Sequence, residues 1–206
     1  MFWEYMLNLD DAKQAIINSW PQIKKECLSV LGSELHYQAM IYHAFRESGK
    51  IPISQIGMNV KMWISNPVSD LFQALDKKKH KDYQGGFEPI PDLVIFKPLI
   101  EGDWRRRNNS ETLRHILIAI EVKASERANK RLSPSEISLD IRKLAAHREE
   151  VVDKGNDMLP VMLIIDSAHS EKERMTKSAL KSSEQLAIKL GVCFLYISPC
   201  NEVFRI

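Results

Sequence analysis

Two segments set the architecture of this chain: IPDLVIF at residues 90–96 and IAIEVKA at residues 118–124. Each is rich in branched aliphatic residues and has the length of a buried β-strand. Asp92 and Glu121 are the acidic residues that interrupt these apolar runs. An unpaired carboxylate against a core costs several kcal/mol, so each must be hydrogen-bonded, ion-paired or bound to a metal. Two such interruptions call for one common explanation.

Strand geometry predicts where these carboxylates point. Side chains alternate along a strand, so Glu121 and Lys123 share one face while Ile120 and Val122 point into the core on the other. If the two strands pair, Asp92 comes beside Glu121 and the two supply oxygen ligands of the kind that Mg²⁺ and Mn²⁺ prefer. A divalent ion with a neighbouring ammonium group is a combination suited to phosphodiester hydrolysis.

The segments before these strands predict helices and one further strand. Apolar spacing from Ala12 to Val30 predicts a helix interrupted at Pro21, and Ser33 is a cap for a second helix. Alternation over residues 56–64 predicts the first strand. Residues 67–75 predict a short helix, and the polar run 76–86 predicts an exposed loop.

The segments after the first pair of strands alternate between helix and strand. Residues 101–114 form a polar insertion, consistent with a long hairpin between the two strands. Ser133 begins a capping box with proline at the first helical position, and strand 161–165 follows the predicted helix. Ser170 and Glu173 predict the start of a last helix that ends at Gly191, before strands at 192–197 and 202–206.

This order predicts an α/β fold in a single domain over residues 1–206. We expect an N-terminal helical part at about 8–48, a core at about 33–166 and a C-terminal helix and strand extension at about 167–206. With 44% hydrophobic and 27% charged residues, the composition excludes a disordered chain. The longest apolar runs are far shorter than the roughly 20 residues of a membrane span, so we expect no membrane association.

The compartment and the cofactor classes are constrained by what the sequence lacks. The first six residues carry no secretion signal, and three cysteines without a paired motif favour a reducing cytoplasm. No histidine pair has the spacing of a zinc helix, and no glycine-rich loop offers a seat for a nucleotide cofactor.

Two basic clusters stand out although the net charge is only +2. Clusters of this kind are suited to binding phosphates, and Trp104 lies beside the second one. The alternative is that each cluster is an ordinary solvated loop. The candidate nucleic-acid contacts are Lys77, Lys78, Lys79, Arg105, Arg106 and Arg107.

Pro91 and Asp92, followed after 29 residues by Glu121, Val122 and Lys123, resemble the motif of the PD-(D/E)XK (restriction-endonuclease-like) nuclease superfamily. The resemblance implies a restriction-endonuclease-like core of a helix, three strands, a helix and a strand. Its central mixed sheet is flanked by helices, here with an extra C-terminal helix and strand. In this family Asp92, Glu121 and the Val122 carbonyl would bind Mg²⁺, for which Mn²⁺ substitutes, and Lys123 would be catalytic.

The same resemblance draws in three weaker candidates. Glu34 matches an acidic residue that many members place on the first core helix, and Gln38 lies one turn further on the same face. The alternative is a first-turn acid favoured by the helix dipole. Lys143 matches a site-lining position of the second core helix, and the alternative is an exposed lysine paired with Asp140.

The function implied is a Mg²⁺-dependent nuclease, an endonuclease acting on DNA, with a homodimer left open. One alternative is a catalytically silent domain of the same fold that binds nucleic acid or protein. Another is a structural domain, in which Asp92 is a strand-start residue after a turn proline and Glu121 with Lys123 forms an edge-strand ion pair.

Overall fold

A six-stranded mixed β-sheet with helices on both faces forms the centre of the computed structural model, which describes residues 8–206. The fold is thus α/β with a mixed, helix-flanked sheet, as predicted. The first six residues, where we expect no secretion signal, lie outside the described part. Within that part no helix combines the length and the apolar character that crossing a bilayer requires.

The helices are α1 (Leu9–Cys27), α2 (Glu34–Glu47), α3 (Asp70–Lys77), α4 (Asn109–His115), α5 (Pro134–Asp153) and α6 (Lys177–Lys189). The strands are β1 (Ile56–Met58), β2 (Ile64–Ser65), β3 (Gly86–Phe87), β4 (Leu93–Phe96), β5 (Ile116–Ala124), β6 (Leu159–Ile165), β7 (Cys193–Ser198) and β8 (Asn201–Arg205).

The main sheet has the strand order β1-β4-β5-β6-β7-β8. Strand β4 is antiparallel to both of its neighbours, β1 and β5, whereas β5, β6 and β7 run parallel to one another and are joined by α5 and α6. Parallel neighbours need a crossover of this length. The edge strand β8 is antiparallel to β7, as the last residues predicted.

The central strand β5 separates two cores. Ile118, Ile120 and Val122 pack in the core under α1 and α2, and Ala119 belongs to the core under α5 and α6. Because successive side chains point to opposite faces, Glu121 and Lys123, the odd-numbered residues that follow Ala119 in this strand, face the α5 side. The prediction that Ile120 and Val122 pack into a core while Glu121 and Lys123 share the opposite face is confirmed.

Three predicted boundaries are wrong. The first helix runs through Pro21 without a break. Proline removes one amide donor, but the carbonyl left without it, that of Ile17, belongs to a residue that is 40% exposed and can bond to water. Trp20 and Ile23 remain buried on either side and hold the helix against the core.

The predicted strand over residues 56–64 is two strands in different sheets. Asn59 adopts a left-handed conformation with φ of 50° and turns the chain after β1. Strand β2 then pairs with β3, which begins at Gly86, the last residue of the run predicted to be an exposed loop. Alternation of apolar residues continues through such a turn, so the pattern alone does not reveal it.

The last helix begins later than predicted, at Thr176 rather than Ser170. The Thr176 hydroxyl accepts a hydrogen bond from the Ala179 amide at 3.2 Å, while the Met175 amide donates to the buried Asp166 carboxylate at 2.7 Å. That tertiary bond holds residues 170–175 in a turn. The insertion at 101–114 joins an antiparallel pair, as a hairpin would, but it contains α4.

Helix α3 is tied to α5 by a fully buried carboxylate, Glu150. It accepts hydrogen bonds from the amides of Val68 at 3.1 Å and Ser69 at 2.9 Å, and from the Ser69 hydroxyl at 2.7 Å. These donors lie at the start of α3, where a helix has no internal acceptors for its first amides. Glu150 therefore acts as the cap of a neighbouring helix.

We predict that Glu150→Ala lowers the free energy of unfolding by about 3 kcal/mol, because the buried donors lose their charged acceptor. Urea denaturation followed by circular dichroism measures this. The control is the exposed neighbour in Glu149→Ala, which should change stability by less than about 0.5 kcal/mol. Equal effects of the two substitutions would show that the cap is not stabilising.

Candidate functional site

The antiparallel pairing of β4 with β5 brings the two strand carboxylates together. The register pairs Leu93 with Ile120, so Asp92 lies opposite Glu121 one position further along. The Asp92 Oδ2 atom accepts a hydrogen bond from the Val122 amide at 2.7 Å. Because β5 is a central strand with neighbours on both sides, the interpretation of Glu121 and Lys123 as an edge-strand ion pair is wrong.

Lys123 joins three elements of the structure. Its Nζ lies 3.3 Å from both carboxylate oxygens of Glu34 at the start of α2, and 3.3 Å from Asp140 Oδ2 on α5. Nζ also lies 3.4 Å from the Val122 carbonyl oxygen. Ser33 starts α2 as predicted, since its hydroxyl accepts from the His36 amide at 3.3 Å and so places Glu34 in the first turn.

Asp140 is a site residue that sequence reasoning did not select. It is only 7% exposed and contacts Lys143 Nζ at 3.0 Å through Oδ1, so it bridges two lysines. The alternative view of Lys143 as the partner of Asp140 describes a real pair, and this pair lines the site. A usable signal existed, because Asp140 lies within the buried helical stripe that includes Ile137 and Leu144.

Burial and charge shift the titration of the carboxylates. The pKa of Glu121 is raised to about 8, first by burial and then by the neighbouring carboxylates of Asp92 and Asp140. Burial also raises the pKa of Asp92, against the opposing effect of the Val122 amide, and that of Glu34, against the opposing effect of Lys123. Ionising all of these groups together is therefore unfavourable without additional positive charge.

The neighbouring carboxylates also shift the pKa of Lys123. Burial lowers the pKa of its ammonium group, but Asp140, Glu34, Glu121 and Asp92 outweigh this and raise the pKa above its ordinary value. Lys123 is therefore protonated across the physiological pH range.

The oxygen atoms around Glu121 are ligands of the kind that a hard cation prefers. The Glu121 side chain is half-buried, and no described residue donates a hydrogen bond to it. Within residues 8–206, no three His, Cys, Asp or Glu side chains form a closed metal-ligand group. The donors on the α5 face of β5 are the carboxylates of Asp92 and Glu121, with the Val122 carbonyl beside them, and oxygen ligands of this kind fit Mg²⁺ or Mn²⁺.

The site opens into a pocket of about 300 Å³. Acidic and basic side chains form part of its wall, and aromatic side chains from α3 and β3 form another part. A second pocket, of about 260 Å³, shares Glu34 and Lys123 with the first. The first is lined among others by Asp92, Glu121, Asp140, Lys143, Phe72 and His147.

Gln38, the other residue predicted on α2, is buried at 4% exposure. Its side-chain oxygen lies 3.4 Å from Asn59 Nδ2, and the Asn59 amide donates to the Asp92 carbonyl at 3.0 Å. Gln38 therefore contacts the loop that supports Asp92.

The predicted arginine cluster is paired with carboxylates. Arg105 forms two hydrogen bonds of 2.8 Å with Asp103, which also lies 3.9 Å from Arg107. Arg106 lies 2.8 Å from Glu88, a residue that lines the 300 Å³ pocket.

The predicted lysine cluster lies at the end of α3. Lys77 and Lys78 are exposed, whereas Lys79 pairs with Asp76 at 3.1 Å and lies 5.6 Å from the centre of the Trp63 ring. Only the first two therefore present their charges to solvent.

Comparisons of the chain with protein-family models, with curated proteins and with solved structures found no match in any of the three.

His147 is a second pocket residue that sequence reasoning missed. It lies on the face of α5 that carries Asp140 and Lys143, is 2% exposed, and its Nε2 has no hydrogen-bond partner among the described residues. Burial lowers the pKa of its imidazole to about 4. The ring is therefore neutral at physiological pH.

We predict that His147 makes the protein acid-sensitive. The unfolded chain takes up this proton below about pH 6.5, whereas the folded chain resists protonation until about pH 4. The stability from the neutral ring is thus fully present above about pH 6.5 and is lost as the pH falls through 4. Relative to His147→Leu, wild type should lose up to about 3 kcal/mol over this range.

Urea denaturation at pH 7 and pH 4.5 measures this difference. His43→Leu, at an exposed position of α2, is the control and should keep the wild-type pH dependence, because an exposed ring has water around it in both states. A His147→Leu profile parallel to that of wild type would contradict the prediction.

Proposed function

We propose that the protein is a metal-dependent nuclease of the PD-(D/E)XK type that hydrolyses phosphodiester bonds in DNA, acting as an endonuclease. One observation carries the proposal: Asp92, Glu121 and Lys123 lie together where β4 meets β5, with the Lys123 ammonium held against Glu34. Burying three ionisable groups at one position costs stability, and such clusters are concentrated at functional sites.

The order of elements supports the same proposal. Helix α2, strands β1, β4 and β5, helix α5 and strand β6 occur in the order that the family resemblance implies, with β2, α3 and β3 inserted after β1 and α4 inserted before β5. Strand β4 pairs antiparallel with both β1 and β5, and β6 runs parallel to β5. Asp92 immediately precedes β4 and Glu121 lies within β5, an arrangement that supports the proposed motif.

The residues that would hold Mg²⁺ or Mn²⁺ are Asp92, Glu121 and the Val122 carbonyl. A bound divalent ion supplies a Lewis acid for a phosphoryl oxygen and lowers the pKa of a coordinated water. The Val122 amide orients Asp92 through its hydrogen bond of 2.7 Å. The pKa of Glu121, raised by burial, falls when positive charge comes near, so this carboxylate ionises where a cation is present.

Lys123 supplies a permanent positive charge. Its ammonium group would donate a hydrogen bond to a non-bridging phosphate oxygen and offset the negative charge that develops in the transition state. Glu34 and Asp140 position this group, because both lie 3.3 Å from Nζ. We therefore assign Glu34 the role of holding Lys123.

We predict that Asp92→Asn and Lys123→Ala each reduce Mg²⁺- or Mn²⁺-dependent DNA cleavage at least about 100-fold. Asparagine keeps a side-chain oxygen for the Val122 amide, so loss of activity would reflect the lost charge rather than unfolding. The assay uses supercoiled, linear, single-stranded and branched DNA, with Glu149→Ala as a fully active control. Cleavage by both variants at the wild-type rate would refute the assignment.

Metal binding is tested separately from cleavage. We expect a calorimetric titration of wild type with Mn²⁺ to give a binding isotherm that Asp92→Asn and Glu121→Gln abolish, because each loses an anionic ligand. A wild-type protein that binds DNA but gives neither heat with Mn²⁺ nor cleavage would instead be a silent binding domain.

A further inference from the structure

We infer that the segment joining β5 to α5, residues 125–133 and here named the β5–α5 loop, binds the phosphodiester backbone of the nucleic acid next to the cleavage site. The inference rests on the proposed function for the identity of the polyanion, and it assigns the backbone contact to a segment outside both predicted basic clusters. Its starting point is three exposed basic residues on this loop: Arg127, Lys130 and Arg131.

These three residues line the pocket of about 260 Å³ that adjoins the site. Glu34 and Lys123 belong to its wall and also to the wall of the pocket that holds Asp92. The two pockets therefore meet at Lys123. A strand with its reactive phosphate at Lys123 would carry a neighbouring phosphate toward the β5–α5 loop.

The positive charges of the loop are not neutralised by the protein. Among the described residues no carboxylate lies within ion-pair distance of Arg127, Lys130 or Arg131; Arg131 instead donates to the Arg174 carbonyl, which carries no net charge. By contrast, each arginine of the predicted 105–107 cluster has a carboxylate partner.

The carboxylates of the same pocket are otherwise engaged. Glu34 contacts Lys123, and Glu126 accepts a hydrogen bond from the Glu34 amide at the start of α2. Glu136 lies in the first turn of α5, where the helix dipole favours a negative charge. Uncompensated guanidinium and ammonium groups remain, and these bind phosphate oxygens by charge-assisted hydrogen bonds.

Hydrogen bonds to and within the loop restrain its backbone. The Ser125 amide donates to the Ile165 carbonyl at 3.1 Å, and the Lys130 amide donates to the Arg127 carbonyl at 3.1 Å. Asn129 has a left-handed φ of 62°, and its amide donates to Glu173 at 2.5 Å. This turn presents Arg127 and Lys130 together, which reduces the entropy lost on binding.

The test is fluorescence anisotropy with a labelled DNA duplex and a labelled single strand, in EDTA so that no cleavage occurs. We expect Arg127→Ala/Lys130→Ala to weaken binding about tenfold or more, and to reduce the slope of log affinity against log salt by about two for the duplex. Arg105→Ala/Arg106→Ala, the matched control, should change affinity less than about twofold because those side chains are paired. Circular dichroism melting verifies the fold of both variants.

Inorganic phosphate distinguishes a polynucleotide site from a small-anion site. If phosphate displaces the DNA no better than chloride at equal ionic strength, the loop binds a polyanion rather than a single phosphate, as inferred. Selective displacement by phosphate would overturn the inference, as would wild-type affinity in the loop variant or no binding by wild type.

Cleavage and binding can fail separately. A wild-type protein that binds DNA through the loop but never cleaves it with Mg²⁺ or Mn²⁺ would remove the proposed nuclease function and leave the loop assignment standing. Conversely, if wild type cleaves DNA and the loop variant binds DNA with wild-type affinity, the proposed nuclease function would stand and the loop assignment would fail.

Discussion

The hydrogen bond from the Val122 amide to the Asp92 carboxylate is the constraint on which the site depends. It lies just beyond the last paired residues of β4 and β5, and it fixes the side chain that would otherwise be an unsatisfied charge against the core. Once this bond is made, strand alternation places Glu121 and Lys123 on the same face of the sheet. The backbone of two strands thereby controls the position of three ionisable groups.

The charges at this position balance only in part. Two lysines, Lys123 and Lys143, face the carboxylates of Glu34, Asp92, Glu121 and Asp140, and burial strengthens every interaction among them. The neighbouring carboxylates keep Lys123 protonated, and together with burial they raise the pKa of Glu121, so that this carboxylate is difficult to ionise. This excess of negative charge favours an additional cation, which is the physical basis of the proposed metal site.

The basic segments of the chain differ in their ability to bind a polyanion, because carboxylates pair with some of their charges and not with others. The arginines near Trp104 form an obvious cluster in the sequence, yet they are ion-paired with Asp103 and Glu88. Arg127 and Lys130 are less conspicuous, but they have no carboxylate partner within the described part of the chain and lie beside Lys123. Net charge and local clustering count charges without counting their partners, whereas recognition of a polyanion depends on the charges that remain free.

The residue pattern alone was sufficient to predict the α/β class, the strands that carry Asp92 and Glu121, the helix after Ser133 and the common face of Glu121 and Lys123. Strand alternation and helix capping are local rules, and they hold wherever the burial of a segment agrees with its pattern. The continuous helix at Pro21, the turn at Asn59, the buried cap Glu150 and the place of Asp140 at Lys123 required the folded structure. Each depends on contacts between segments distant in the chain: helical periodicity indicates that Asp140 is buried, but not that Lys123 is its partner.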